Sequence, residues 1–475
     1  MKELTYNQLI HHTFSDYREK IKSIYYSLLN EDKLSDAEKE SLLSIVVIFS
    51  NQSDVKLHKL AYRIALLYGL KEKDFVPLYD LAINMGLMPV VSLLRSVEGI
   101  LKRSKDTFFS NLIDGYVDTF KSNNITQTEQ QLSLSNFFSE TISKPATIIA
   151  PTSYGKSELI VSAISNAKLK NILVIVPSKS LLSQTRKRIL DAKIDWVDRV
   201  LSHPEMYLDT MRHCVCVLTQ ERASRLLNKN KKLKFELVLV DEAHNILDKD
   251  GRNTLLASVI KVLEYRNPTL AIKYLTPFLE HPSSLNIKGS EIEVNSFKIT
   301  ESVKSENYYI SDYRLNSNSS TYYDPFWNEF LVRPKNDNYI EYIKQKSARK
   351  NIVYFNRPKN IQKFAQELSL NLEPIYSDEI DSAIKEISKA THSDYLLIAC
   401  MRYGVLYHHG SMTDQIRNYV EYLFRECDDV RYLITSSTLL EGVNLPVERL
   451  FLFEIKKGLR KLTPSQFKNL IGRVS

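Results

Sequence analysis

Two short stretches of the chain carry residue types at spacings that chemistry can use. The first is Thr147-Ile-Ile-Ala150-Pro151-Thr152-Ser153-Tyr154-Gly155-Lys156-Ser157, an apolar run that breaks at proline and ends in Gly-Lys-Ser before a helix-like pattern. A strand-to-helix turn of this kind turns backbone N–H groups toward anionic oxygens at the helix N-terminus. Lys156 would add a mobile charge at terminal phosphates and Ser157 a hydroxyl in the shell of Mg²⁺, while Gly155 lets the backbone come close. The loop has one glycine where fuller motifs have two or three; Ala150 stands at the first and Ser153 at a middle one, tolerable if its φ stays negative. The second stretch is Val238-Leu-Val-Asp241-Glu242-Ala-His244, 85 residues after Lys156 (241 − 156). Two adjacent carboxylates at the tip of a buried strand need a counter-charge, and a metal-bound nucleotide supplies one. Asp241 is expected to hold Mg²⁺ largely through water, Glu242 to orient and deprotonate an attacking water, and His244 to report the nucleotide state. Alone, either stretch has a bland reading as a turn; together, at this distance, they point to ATP and Mg²⁺.

Such residues need strands that end where the residues begin. From about residue 125, short β-branched runs alternate with helical segments: ATIIA, NILVIVP, CVCVLT, FELVLVDE and IKYLT. The first four run into polar or turn residues, the alternation of a mostly parallel sheet with helices on both faces. Chemistry in such sheets gathers at the carboxyl ends of the strands, where Lys156 and Asp241 fall. A second α/β pattern takes in NIVYFN (351–356), DYLLIAC (394–400), GVLYHHG (404–410), RYLITSS (431–437) and RLFLFE (449–454). Between the two, residues 280–335 are rich in Ser, Asn and Tyr and read as a connector with some strands. Residues 1 to about 120 read as packed helices, with Ser35-Asp-Ala-Glu38 as a capping box before an apolar run. The chain stops at Arg473-Val-Ser475, which reads as a fragment.

The pair APTSYGKS and VDEAH resembles motifs I and II of superfamily 2 helicases of the DExH kind, and later blocks follow in that family's order. Pro177-Ser178-Lys179-Ser-Leu181 with Gln184, and Thr219-Gln-Glu221-Arg222, are similar to the segments that line the family's nucleic-acid groove. Val405-Leu-Tyr-His408-His409-Gly410 with Arg417 resembles a block of the Ski-type branch, Ser436-Ser-Thr438-Leu-Leu-Glu441-Gly442-Val-Asn444-Leu-Pro446 its motif V, and Asn469-Leu-Ile-Gly472-Arg473 the opening of motif VI. The resemblance covers about residues 125–475. It implies an α/β fold of two tandem RecA-like domains preceded by an all-helical N-terminal domain. The implied boundaries are 1–122 helical, 123–285 first RecA-like, 286–335 connector and 336–475 second RecA-like. It implies that ATP meets Gln130 (with Gln127 and Gln131 as alternatives), Thr152, Ser153, Tyr154, Gly155, Lys156, Ser157, Glu441 and Gly442. Mg²⁺ falls to Ser157 and Asp241, and Arg473 completes the site from the second domain. Pro177, Ser178, Lys179, Thr219, Arg222, His409, Arg417, Thr438 and Asn444 are the implied nucleic-acid contacts. Three features depart from the branch. Asn469 stands where Gln is usual, the second motif VI arginine would lie past Ser475, and motif III is reduced to the stand-in Leu275-Thr276-Pro277-Phe278.

The activity this implies is that of an ATP-dependent helicase or translocase on DNA or RNA. The alternative is an ATP-gated clamp or sensor that signals to a partner without unwinding. Intact Lys156, Asp241 and Glu242 argue against a pseudo-ATPase scaffold. The helical N-terminal region joined to a Ski-type core, with the LIGRVS ending, resembles helicase subunits of bacterial antiviral systems such as Hachiman. That likeness implies a nuclease or effector docking on the N-terminal helices, whose other reading is a structural cap. Totals agree: 475 residues suffice for about three domains, and a formal charge of +8 is compatible with a polyanionic partner without requiring one. Cys214 and Cys216 alternate within CVCVLT as core residues rather than a metal pair. No signal-peptide pattern is present, and LLSIVVIF (42–49) is too short to span a bilayer, so a cytoplasmic protein without membrane contact is expected.

Overall fold

In the computed structural model the chain is described except at residues 1–3, 11–14, 98, 102–106, 123–124, 152–153, 168–170, 212, 248–250, 278, 280–284, 286–294, 302, 314–318, 335–337, 393, 437–444, 473 and 475. It divides into two compact units, residues 1–136 with 299–335, and residues 137–298 with 336–475.

The first unit opens with α1 (Tyr6–Ile10), α2 (Ser15–Leu29), α3 (Asp36–Ser50), α4 (Val55–Glu72), α5 (Val76–Asn84), α6 (Met88–Ser96) and α7 (Phe108–Asp118). The capping box at α3 forms: Ser35 Oγ accepts the Glu38 N–H, and the Glu38 carboxylate accepts the Ser35 N–H at 2.8 Å. A small pair, β1 (Lys121–Ser122) and β2 (Ile125–Thr126), leads into α8 (Glu129–Glu140). The segment read as a connector supplies a three-stranded antiparallel sheet to this unit: β10 (Tyr308–Ile310), β11 (Ser319–Asp324) and β12 (Glu329–Pro334). It is held there by a buried cation. Arg63 of α4 donates to Tyr25 Oη at 2.8 Å, Ser305 Oγ at 2.8 Å, the Glu306 carbonyl at 3.1 Å, Asn307 Oδ1 at 2.7 Å and the Tyr322 hydroxyl. Tyr25 in turn donates to Asp324 at 2.7 Å, and Trp327 joins the helical core.

The second unit holds two parallel sheets. The first comprises β3 (Ala146–Ile149), β4 (Asn171–Ile175), β5 (Arg199–Leu201), β6 (Cys214–Leu218), β7 (Leu237–Val240), β8 (Ala271–Thr276) and β9 (Asn295–Lys298). Their order is β5-β6-β4-β7-β8-β3-β9, every pairing parallel. The helices α9 (Lys156–Ala167), α10 (Lys179–Asp191), α11 (Gln220–Lys229) and α12 (Gly251–Arg266) alternate with the strands. β3, β4, β6, β7 and β8 are buried at every residue, as apolar runs broken only by Thr147, Asn171, Lys273 and Thr276 require when both faces are covered. Cys214 and Cys216 lie among them as core residues.

The second sheet comprises β13 (Asn351–Tyr354), β14 (Val405–His408), β15 (Tyr432–Thr435) and β16 (Arg449–Leu452) in the order β14-β15-β13-β16, again parallel. Around them run α13 (Tyr339–Lys346), α14 (Pro358–Ser369), α15 (Asp378–Ala390), α16 (Leu396–Met401) and α17 (Asp414–Glu426). The run at 394–400, grouped with the strand-like segments by its apolar content, forms α16. Leu397, Cys400 and Met401 are its buried residues, a helical spacing that a six-residue apolar run cannot distinguish from a strand beforehand. After β16 come β17 (Lys456–Lys457) and β18 (Arg460–Lys461), a short hairpin, and α18 (Pro464–Ile471). Two parallel sheets flanked by helices, with a helical region ahead of them, make the tandem RecA-like architecture. Among the described residues no helix is long and apolar enough to cross a membrane.

Candidate functional site

Sheet order decides which residues meet. β8 lies between β3 and β7, so the loops leaving these three strands sit side by side at the carboxyl edge of the first sheet. The loop after β3 closes on β8: Ala150 N donates to the Thr276 carbonyl at 3.0 Å. Gly155 holds φ +78°, the left-handed region glycine enters at no steric cost, and an added Cβ there would meet nothing within 4 Å. Its carbonyl accepts the N–H groups of Glu158 at 2.9 Å and Leu159 at 3.1 Å, which starts α9. Lys156 is buried and its Nζ donates to the carbonyls of Ala150 at 3.0 Å and Pro151 at 3.1 Å, folding the ammonium over the loop. Tyr154 is buried, and Ser157 is half-buried in the first turn of α9. Thr152 and Ser153 lie outside the described residues.

The acidic pair sits two strands away at the tip of β7. Asp241 N donates to the Ile175 carbonyl at 2.9 Å, and Asp241 Oδ1 accepts the Glu242 N–H at 2.9 Å. Glu242 adopts φ +50°, which costs a non-glycine residue on the order of 1 kcal/mol or more and turns the chain sharply at the acid. His244 Nδ1 lies 3.5 Å from Glu242 Oε2, with both side chains buried. Thr276, at the end of β8, is fully buried, and its Oγ1 has no hydrogen-bond partner among the described residues. It belongs to the stand-in for motif III, whose Phe278 lies outside the described residues. One ammonium, an open glycine turn at a helix N-terminus and two hard oxygen acids therefore line one edge. This donor set fits a magnesium-bound polyphosphate.

The other half of the edge carries the polar residues expected along nucleic acid. Ser178 follows β4 and caps α10, its Oγ accepting the Leu181 N–H at 3.2 Å. Pro177 is half-buried and Lys179 exposed. Thr219 follows β6 at the N-cap of α11, and Arg222 donates to the Ser202 carbonyl at 2.6 Å. Gln130 belongs to the first unit, where its Oε1 accepts the Thr300 N–H at 2.8 Å and its Nε2 donates to Thr300 Oγ1 at 3.2 Å.

In the second RecA-like domain His408 ends β14 with Nε2 3.1 Å from Glu421 Oε1. His409 stacks on Tyr407 and approaches Gln362 at 3.2 Å. Burial and then the neighbouring His408 hold the His409 pKa below the usual imidazole range, so it is suited to hydrogen bonding rather than to carrying charge. Arg417 pairs with Asp414 on the first turn of α17. Thr438, Glu441, Gly442, Asn444 and Arg473 lie outside the described residues; Ser436, directly after β15, is buried.

Sequence reasoning missed the β17/β18 hairpin. It sets Lys456, Lys457, Arg460 and Lys461 around Gly458 and Leu459, and the Leu459 side chain is 94% exposed. Gly458 takes φ +63°. The tip is clamped from the end of β13. Asn356 Nδ2 donates to the Gly458 carbonyl at 2.7 Å, and the Gly458 N–H donates to Asn356 Oδ1 at 2.7 Å. Tyr354 Oη donates to the Lys456 carbonyl at 2.7 Å, and Glu454 accepts from Asn356 N at 3.2 Å and Asn360 Nδ2 at 2.8 Å. The available signal was Lys-Lys-Gly-Leu-Arg-Lys, a turn glycine between basic pairs.

Two family models match the chain: "Type III restriction enzyme, res subunit" over residues 120–276 and "Helicase conserved C-terminal domain" over residues 334–475. The chain is similar to the ATP-dependent DNA helicase Hel308 of Thermoplasma volcanium, 25% identical over 375 residues, covering 76% of this chain and 52% of that protein. It is 25% identical over 323 residues to the ATP-dependent DNA helicase MER3 of Saccharomyces cerevisiae, covering 63% of this chain and 26% of the relative. Anti-bacteriophage protein B of Escherichia coli K12 is 23% identical over 328 residues, 68% of this chain and 42% of that protein. The chain thus spans about half the length, or less, of these curated relatives.

Proposed function

The chain belongs to helicase superfamily 2, and we propose that it hydrolyses ATP to move along a DNA or RNA strand. The observation that carries this reading is the edge formed by β3, β8 and β7. It brings Lys156 beside Thr276 and within two strands of Asp241 and Glu242. ATP with Mg²⁺ would supply the phosphoanhydride whose cleavage drives the cycle. Lys156, Gly155, Ser157 and Tyr154, with Thr152 and Ser153, would bind its phosphates; Ser157 and Asp241 would hold the metal. Glu242 would take the proton of an attacking water, with His244 at its side coupling the edge to the rest of the protein. Gln130, Glu441, Gly442 and Arg473 are proposed for the nucleotide as well, Arg473 stabilising charge on the transferred group. Pro177, Ser178, Lys179, Thr219, Arg222, His409, Arg417, Thr438 and Asn444 would follow the nucleic-acid backbone.

Leu459 gives the reading a means of strand separation. An exposed leucine on a clamped, four-fold basic hairpin can press against the last base pair of a duplex while its lysines and arginine attract the phosphates beside it. The relative named for action against bacteriophage supports an antiviral role, proposed for the cytoplasm, in which a nuclease or other effector would dock on the N-terminal helices. Strand displacement on a forked duplex, measured beside ATP-dependent binding to the same fork, tests the proposal. Displacement that needs ATP is expected. ATP-dependent binding without displacement would replace the motor with an ATP-gated clamp.

A further inference from the structure

The first RecA-like domain carries a second concentration of positive charge. α11 buries Gln220, Ala223, Leu226 and Leu227, leaving Arg222, Arg225 and Lys229 at helical spacing along another face. Past the helix, Lys231, Lys232 and Lys234 follow before β7 begins. Arg225, Lys229, Lys231, Lys232 and Lys234 are all exposed, and none forms an ion pair among the described residues. Glu205 lies within electrostatic reach of Arg225 and Lys229 and is engaged by His203. A backbone hydrogen bond, then His203, Arg225 and Lys229, hold its carboxyl below the usual range.

This stripe stands on a rigid base. Arg266 donates to the carbonyls of Asn230 at 2.9 Å, Leu233 at 3.3 Å and Leu227 at 2.9 Å. Asn171 Nδ2 donates to the Lys234 carbonyl at 3.1 Å, and Asn267 Nδ2 to that of Phe235 at 2.7 Å. Five carbonyls around the turn are thus occupied from below while the basic side chains face water, so binding a polyanion would order little backbone. Tyr265, beside Arg266 at the same end of α12, is 89% exposed and offers a bare ring.

Position identifies the ligand. α11, capped by Thr219 on the carboxyl edge, runs back toward the amino edge, so Arg222 to Lys229 spans about 10 Å at about 1.5 Å per residue, and Lys231, Lys232 and Lys234 continue the charge past the end of the helix. The phosphates of one nucleotide, gathered at one end of the molecule, cannot reach all of these cations. An extended backbone of phosphates leaving the groove beside Thr219 and Arg222 can, and the exposed ring at the far end suits base stacking.

We propose that the stripe Arg225–Lys234 is a second nucleic-acid site, which holds backbone outside the motor groove independently of ATP. The proposal rests on the helicase reading. Its test uses the full chain with Lys229, Lys231, Lys232 and Lys234 all changed to alanine, and a companion with all four changed to arginine. Binding is measured by fluorescence anisotropy on oligo-dT of about 10 and about 40 nucleotides at several salt concentrations, with thermal melting as the folding control. The alanine variant should bind the short strand as the wild type does and the long strand at least about tenfold more weakly, with a salt slope smaller by about 3 (roughly 0.7 for each of four charges). The arginine variant should match the wild type on both. Equal loss on both lengths, or none on the long strand, overturns the proposal. So does an unchanged DNA isotherm accompanied by lost binding of poly-glutamate, which would assign the stripe to an acidic protein. Failure of the wild type to bind either strand would instead sink the helicase reading.

Discussion

Asn356→Ala should separate strand displacement from ATP turnover. The side chain makes two hydrogen bonds of 2.7 Å to Gly458, one in each direction, joining positions 102 residues apart (458 − 356). Each such bond contributes about 0.5–1.5 kcal/mol net, and these are solvent-exposed, so about 1–2 kcal/mol in total is the fair figure. If the hairpin works only when its tip is held, that loss lowers the fraction of competent tips by about 5- to 30-fold. Tyr354 and Glu454 still anchor the base of the hairpin, so the fold should survive with melting little changed. The assay is ATP-dependent displacement of a forked duplex beside ATP turnover on single strands, for the wild type, Asn356→Ala and Asn356→Asp. Displacement should fall several-fold with turnover kept, and aspartate, which retains one acceptor, should fall between. Displacement and turnover declining together, or neither changing, would refute the idea that the clamp serves strand separation.

Two further outcomes follow from buried cations. Lys273 in β8 is fully buried, donating to the carbonyl and hydroxyl of Thr141 over the ring of Phe138, and burial lowers its pKa from 10.5 to about 7. The folded state then binds fewer protons than the unfolded chain between those values, so this group's contribution to stability rises with pH across that window and is worst below about 7. The gap corresponds to a span on the order of 5 kcal/mol. Chemical denaturation of Lys273→Met at pH 10 and pH 7 should therefore show the variant gaining on the wild type by several kcal/mol as pH falls; a constant difference would contradict the neutral buried amine. Arg63→Met should cost about 3–5 kcal/mol by taking the guanidinium donor from the buried Glu306 carbonyl, Asn307 Oδ1 and the Tyr25 and Tyr322 hydroxyls, and should expose the 303–329 segment to limited proteolysis; wild-type resistance there would show that the network is not what holds the segment.

The legibility of the fold followed the length and chemistry of each signal. In strands such as Asn171–Ile175 and Cys214–Leu218, four or five consecutive apolar residues lead toward turn residues, and Ser35 and Glu38 sit at the spacing a capping box requires. Long-range pairing was invisible. Nothing local shows that Arg63 meets Tyr322 across 259 residues, nor that residues 299–335 return to the helical unit. The run at 394–400 could not be assigned because six apolar residues satisfy both periods. At the candidate site, the position of Gly155, Lys156, Asp241 and Glu242 at the ends of strands was legible because each belongs to a short motif that follows an apolar run. What their neighbours do was not readable: Ser178 spends its hydroxyl on Leu181, Gln130 its amide on Thr300, and the orphan hydroxyl of Thr276 depends on sheet order.

The measurement closest to the central claim is ATP turnover by the purified chain with and without single-stranded DNA and single-stranded RNA, beside Lys156→Ala and Glu242→Gln. Turnover stimulated by one of the two polymers, abolished by Lys156→Ala with melting unchanged, and reduced by at least about 100-fold in Glu242→Gln while nucleotide still binds, is the predicted result. Normal turnover in Lys156→Ala would contradict the account, because the edge formed by β3, β8 and β7 would then not be where ATP is hydrolysed.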